Sequence, residues 1–152
     1  MASRIAGPAD AAVVAGLLTD VNNEFESWVP PIEVLEDRFA RLLAHDDVLV
    51  LLAHDPEPVG FALLTMRPSP YFDGPLAVLD ELYVVPQRRG QGLGSQLMEL
   101  LGREAQARDV GEIHINVDEG DLGARRFYEA HGFTNVEHGE RMLCYLGQVS
   151  AS

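Results

Sequence analysis

Three alternating glycines stand in Arg88-Arg89-Gly90-Gln91-Gly92-Leu93-Gly94-Ser95, between an apolar run ending at Val85-Pro86 and a run with helical spacing. A helix start leaves backbone N–H groups without partners, and the helix dipole adds partial positive charge, so this junction favours an anion. Glycine lets the backbone approach a phosphate closely and adopt positive φ angles, and Arg88 and Arg89 add charge beside it. Just upstream, Asp80 and Glu81 interrupt the apolar run Ala77–Val85. A carboxylate desolvated among Leu79, Leu82 and Val84 is raised in pKa and suited to taking a proton. Strand alternation sends the two to opposite faces, Asp80 sharing that of Val84. The chemistry offered is phosphate binding next to proton transfer. The bland alternatives are a strand-to-helix turn that needs glycine and a pair of carboxylates solvated at an open strand end.

Composition narrows the ligand. The net charge is −13, with 24 acidic against 11 basic residues, which argues against general nucleic-acid or anionic-membrane binding. Every basic residue is Arg, so a Gly-Lys-Ser/Thr phosphate loop and a Schiff-base lysine are excluded. A dinucleotide site wants G-x-G-x-x-G after a first strand, with an acidic residue about 20 positions on. Here Gly90 and Gly92 lead to Ser95 and several strands precede them, so that reading is weak. The single cysteine, Cys144, forms no intrachain disulfide or cysteine metal cluster and suits a reducing cytoplasm. Its apolar neighbourhood, Met142–Leu146, predicts a buried thiol. The five histidines show no metal-ligand spacing, and no metal is expected. The apolar stretch Ala11–Leu18 is too short to span a bilayer and does not read as a signal peptide.

The elements that must position these residues follow from periodicity. A length of 152 residues suits a single domain over 1–152. Ser3–Ala6 predicts a first strand, and Pro8 starts a helix reaching about Glu26, ended by Trp28-Val29-Pro30-Pro31. A second helix covers Ile32 to Ala44. The period then changes. Val48–Ala53 is a continuous apolar run, joined through Asp55-Pro56-Glu57-Pro58 to Val59–Met66 as a hairpin. Ala77–Val85 is a further strand, Leu93–Arg108 a helix, and Glu112–Val117 an alternating strand. A helix from Asp121 to His131 stops at Gly132, and Phe133–Val136 and Met142–Leu146 read as final strands. The fold class is α/β, with a mixed central sheet of about six to seven strands and about four helices.

Two segments in this order resemble the GNAT superfamily of acetyl-CoA-dependent N-acetyltransferases. Arg89-Gly90-Gln91-Gly92-Leu93-Gly94 is similar to the family's Q/R-x-x-G-x-G/A motif. Ala124-Arg125-Arg126-Phe127-Tyr128-Glu129-Ala130-His131-Gly132-Phe133 resembles its A-x-x-x-Y-x-x-x-G-F segment. The resemblance implies that acetyl-CoA lies between splayed strands. Its pantetheine arm would follow the backbone of Leu82, Tyr83 and Val84, with its pyrophosphate on the turn from Arg88 and Arg89 through Gly90, Gln91, Gly92, Leu93 and Gly94 to Ser95. Asn116, Asp121, Ala124 and Tyr128 are implied on the cofactor side. Many members carry Asn where this chain has Asp121, which matches either that contact or a plain helix cap. Arg125 and Arg126 suit the cofactor's charge or a solvated helix face equally.

By the same resemblance, Tyr128 protonates the departing thiolate, and Asp80, ahead of Glu81, is the base. The reaction is direct attack in a ternary complex. The acceptor site falls beside the loop between the first two helices, where Glu24 and Glu26 surround Trp28. Carboxylates round an aromatic attract a cation. The expected acceptor is therefore a primary amine of a small cationic molecule. A protein N-terminus or lysine, and a non-catalytic CoA-binding module, are the rival readings, and a homodimer is compatible with the family.

Overall fold

The protein is described here by a computed structural model covering residues 2–149. These fall into two compact units that divide between Ile115 and Asn116.

The first unit is a five-stranded sheet with three helices. Its strands are β1 (Ala2–Ile5), β2 (Val48–His54), β3 (Pro58–Arg67), β4 (Leu76–Val84) and β5 (Glu112–Ile115), in spatial order β1-β2-β3-β4-β5. All neighbours are antiparallel except β4 and β5, which run parallel. The helices are α1 (Ala11–Glu24), α2 (Ile32–Leu42) and α3 (Leu93–Ala107). A short 3-10 turn, Pro8–Asp10, precedes α1, so the proline ends up in a tight first turn and not in the helix proper.

The apolar run of β2 is buried on both faces. Val50 and Leu52 share a face with Phe61, Leu63 and Tyr83 of the neighbouring strands. Val14, Leu17 and Val21 of α1 and Leu35 and Phe39 of α2 cover that face. Leu49, Leu51, Leu64 and Leu79 lie on the other face, and α3 packs against the same strands through Leu93, Leu97 and Leu101. Burying each such leucine contributes roughly 1.5–3 kcal/mol, so both faces anchor the central strands.

Two irregularities in this sheet matter for chemistry. Leu63 pairs with Glu81 and Leu64 with Leu79, so Asp80 is an extra residue in β4, a β-bulge. The parallel pairing of β4 with β5 stops at Leu79 and Ile115, while β4 continues to Val84. At that far end β3 presses closely on β4: a Cβ on Gly60 would sit 2.7 Å from the Tyr83 carbonyl oxygen.

The second unit holds α4 (Leu122–Ala130) and a hairpin of β6 (Val136–Glu137) and β7 (Glu140–Arg141). The described residues thus form the four expected α-helices and seven strands, but the last two strands form a separate hairpin and not part of the central sheet. The expected strand at Met142–Leu146 is absent. Cys144 is exposed, contrary to the expectation of a buried thiol, because the segment after Arg141 enters no strand and Tyr145 and Leu146 are solvent-exposed with it. No helix among the described residues is long and apolar enough to cross a membrane.

Candidate active site

Hydrogen-bond alternation along β4 decides what its end can bind. Val85 donates to the Val59 carbonyl, so residues 85, 83 and 81 direct their backbone groups at β3. The N–H and C=O of Leu82 and Val84 therefore point the other way, to the side β5 has left. Beyond Val84 the chain makes a 3-10 turn over Pro86–Arg88 and reaches α3 through Gly90 and Gly92, with φ angles of +76° and +86°. These are left-handed conformations that glycine adopts at no steric cost. The first intrahelical bond of α3 is Gln96 N–H to Gly92 O, and no side chain caps the helix. The N–H groups of Leu93, Gly94 and Ser95 thus lack intrahelical acceptors. An open strand edge runs directly into an uncapped helix start.

The side chains around this backbone are engaged with one another. Arg89 donates from Nη1 and Nη2 to Glu24 Oε2 and Oε1 at 2.9 and 2.8 Å, and from Nε to the Val84 carbonyl at 2.8 Å. Its guanidinium carbon lies 5.5 Å from the centre of the Tyr83 ring, and the Tyr83 hydroxyl donates to Glu24 Oε1 at 3.3 Å. Hydrogen bonding from Arg89 holds the Glu24 carboxyl below the usual carboxylate range, against a smaller opposing effect of desolvation. Arg88 makes a longer ion pair, 3.5 Å, with Asp55 in the β2–β3 turn. Gln91, Glu26 and Trp28 are exposed, Trp28 at 82%. The structure brings Glu24 to the glycine-rich turn and leaves Glu26 and Trp28 on the α1–α2 loop.

The bulge revises the reading of the two strand carboxylates. Asp80 accepts a 2.8 Å hydrogen bond from Thr65 Oγ1, and Thr65 lies on the β3 face of Leu63 and Phe61. Asp80 and Glu81 are therefore not separated onto opposite faces, because the extra residue breaks the alternation. Asp80 is exposed, so the desolvation expected for it is absent. Glu81 is the desolvated one: burial, and then the charge of Asp80, push its carboxyl above the usual range.

In the second unit Asp121 is the N-cap of α4, its Oδ1 accepting from Ala124 N–H at 3.0 Å. Of the two roles open to it, the helix cap is formed. The Tyr128 ring meets Phe127 edge-on at 5.5 Å and Phe133 at 6.3 Å, and Phe133 N–H donates to the Tyr128 carbonyl. Arg125 donates to the Glu119 carbonyl at 2.8 Å, while Arg126 and Asn116 are exposed.

The sequence matches the acetyltransferase (GNAT) family over residues 16–133. The chain belongs to the GNAT acetyltransferase family. Among its relatives, an aminoglycoside N(6')-acetyltransferase type 1 from Klebsiella aerogenes is 34% identical over 106 residues, 68% of each chain. Another of that description, from Stenotrophomonas maltophilia, is 33% identical over 144 residues, covering 88% of this chain and 86% of the relative. A candidate acetyltransferase from Arthrobacter sp. FB24, known as a crystal structure, shares 48% identity with a TM-score of 0.91, covering 98% of this chain and 96% of that one.

As a member of this family the enzyme uses acetyl-CoA as cosubstrate. The residues present fit that molecule on the structure's own terms: an open β4 edge for amides, then left-handed glycines and free helix N–H groups for phosphates. Two residues around the acetyltransferase's site carry no role in the sequence motifs: Thr65, which holds Asp80, and Asp55, which pairs with Arg88. The Val84 carbonyl, expected to face the cofactor arm, receives Arg89 instead. Only Asp55 carried a local signal, a carboxylate in a proline turn.

Proposed function

We propose that this enzyme transfers the acetyl group of acetyl-CoA to a primary amine of a small cationic molecule, by direct attack in a ternary complex. The observation that carries the reading is the open β4 edge at Leu82–Val84 leading into the uncapped start of α3. The Leu82 N–H and C=O and the Val84 N–H pair with an extended amide-bearing arm as a neighbouring strand would, the Val84 carbonyl being taken by Arg89. The N–H groups from Gly90 to Ser95 take the pyrophosphate. Bound acetyl-CoA supplies the activated thioester. Asn116 and Ala124 complete the cofactor side as the second motif implies. The family match runs across the division after Ile115, which supports reading 1–152 as one acetyltransferase domain. A cytoplasmic setting suits acetyl-CoA and the free Cys144.

The chain's own groups then manage protons. An amine with pKa near 10.4 is ionised at pH 7, and reaching the neutral form costs roughly 4–5 kcal/mol. Glu81, with its raised pKa, takes the ammonium proton directly or through water, and takes precedence over exposed Asp80. An amide N–H near Val84 stabilises developing oxygen charge, and Tyr128 Oη gives its proton to the departing sulfur. The acidic chain, the exposed Glu26 and Trp28, and the names of the two curated relatives favour a cationic acceptor over a protein one.

The test is CoA release across a panel of polyamines, aminoglycosides, amino-acid amines, peptides with free N-termini and lysine peptides. A small cationic amine is expected to be the best acceptor, with KM rising as salt is added. A peptide as best acceptor, or a KM indifferent to salt, overturns the acceptor class. Absence of release from every amine, with acetyl-CoA still bound, supports a non-catalytic binding module instead. The rate is expected to fall as pH drops through the raised pKa of Glu81, since the base works only when deprotonated, and Glu81→Gln should abolish that acid limb.

A further inference from the structure

Arg89 is the first residue of the matched motif, yet its side chain, though exposed, is engaged by the protein's own groups. Its fork grips both oxygens of Glu24, its Nε holds the Val84 carbonyl, and its plane lies by Tyr83, whose hydroxyl meets the same Glu24 oxygen. Bidentate arginine–carboxylate geometry is directional, and an ammonium cannot reproduce it. The carbonyl that Arg89 covers belongs to the open edge of β4. With it covered, that edge offers Leu82 N–H, Leu82 C=O and Val84 N–H, and then stops.

We propose that Arg89 is a positioning residue and not a phosphate ligand: held by Glu24, it closes the Val84 carbonyl and so fixes the register in which an extended chain pairs along β4. This rests on the acetyl-CoA reading above. Backbone groups of one edge repeat every two residues, so an uncovered Val84 carbonyl invites the arm to pair one repeat further along, a slip of about 6–7 Å. Reacting atoms must lie about 3–3.5 Å apart, so a slipped arm binds without reacting. Glu24 then acts on the cofactor side through Arg89, and not on the acceptor.

S-acetyl-pantetheine, which carries the arm and thioester but no phosphate, separates the two roles. With Arg89→Gln, kcat/KM is expected to fall about tenfold for both acetyl-CoA and S-acetyl-pantetheine, chiefly in kcat. Arg89→Lys should be equally impaired, since it keeps charge but loses the fork. Glu24→Gln should lower turnover in the same direction and leave acceptor KM unchanged, and the double variant should be no worse than either single one. A phosphate ligand behaves oppositely: Arg89→Gln would harm acetyl-CoA alone, Arg89→Lys would rescue it, and Glu24→Gln would tighten CoA by freeing the guanidinium. Any of these overturns the proposal. If Arg89→Gln does not fold by circular dichroism, the sign of the Glu24→Gln effect on CoA affinity by calorimetry decides alone. Wild-type protein that binds no CoA overturns the cofactor reading and this inference with it. Wild-type binding with the opposite variant signs overturns this inference only.

Discussion

The two motif segments solve their tasks in opposite ways. From Val84 to Ser95 the charged side chains are engaged with the protein, Arg89 with Glu24 and Arg88 with Asp55, while backbone groups of β4 and α3 are left for a ligand. From Asp121 to Phe133 the backbone is the satisfied part: Asp121 caps α4, and Phe133 N–H closes onto the Tyr128 carbonyl. The function proposed there belongs to one phenol, its ring fixed by Phe127 and Phe133. A binding site for a constant cosubstrate can be made of main chain, which any sequence supplies once glycines permit its shape. Proton transfer needs a particular functional group. Substitutions that disturb the main chain of the first segment should therefore act on binding, and loss of the phenol in the second should act on rate.

The sharpest test of that contrast is Tyr128→Phe. The phenylalanine keeps the edge-on ring packing against Phe127 and Phe133, and circular dichroism checks that the variant is folded. General acid catalysis typically contributes 10²–10⁴-fold, and kcat is expected to fall about 100-fold or more while acetyl-CoA affinity stays within about twofold. Stopped-flow or steady-state CoA release, with calorimetry for binding, reads both. Full turnover with chemistry rate-limiting assigns the ring a structural role only, and the contrast collapses.

Gly92→Val probes the backbone side and should act on binding. Beyond its chain neighbours, a Cβ at Gly92 meets no protein atom within 4 Å, so the first added carbon has space. The cost is conformational: φ is +86°, and a left-handed L-residue costs roughly 1–2 kcal/mol, more when β-branched. Relief comes by turning the peptide units that present N–H groups at the start of α3. Acetyl-CoA affinity is expected to drop at least tenfold and its thermal shift to vanish, while the apo protein still melts cooperatively. An unchanged shift would put the phosphates elsewhere.

What the sequence made legible divides along physical lines. Elements set by local periodicity were readable: the apolar run of β2, the helical spacing of α3, and the glycines before it. Features made by pairing were not. The bulge at Asp80 exists only because Leu63 and Leu64 meet Glu81 and Leu79 across two strands, so alternation alone assigned Asp80 and Glu81 to opposite faces. The Glu24–Arg89 fork joins residues 65 positions apart, and nothing local to either segment links the two. Cys144 shows the same limit. An apolar run implies burial only when another strand covers it, and Met142–Leu146 enters no strand among the described residues. The glycine-rich turn was thus legible as a candidate site from its residues alone, while the hydrogen-bond partners of the side chains around it required the fold.

The smallest expected effect bears on the backbone economy of α4. Its N-cap Asp121 accepts from Ala124 N–H, satisfying one donor of a helix only nine residues long. Replacing an N-cap by Ala typically costs about 1 kcal/mol, and a helix this short has little other local support. Asp121→Ala should therefore speed hydrogen exchange in the first turn of α4 by several-fold and lower helix stability by that amount. Asparagine caps as well as aspartate does, so Asp121→Asn should restore protection and leave acetyl-CoA affinity and kcat near wild type. Were Asp121 a cofactor ligand instead, removing its negative charge beside a polyanion would change acetyl-CoA affinity in Asp121→Asn while exchange stayed normal. Protection that follows the cap, with affinity following neither variant, places Asp121 among the residues that satisfy backbone. Affinity that follows its charge would give the second segment a binding role and blur the contrast between the two.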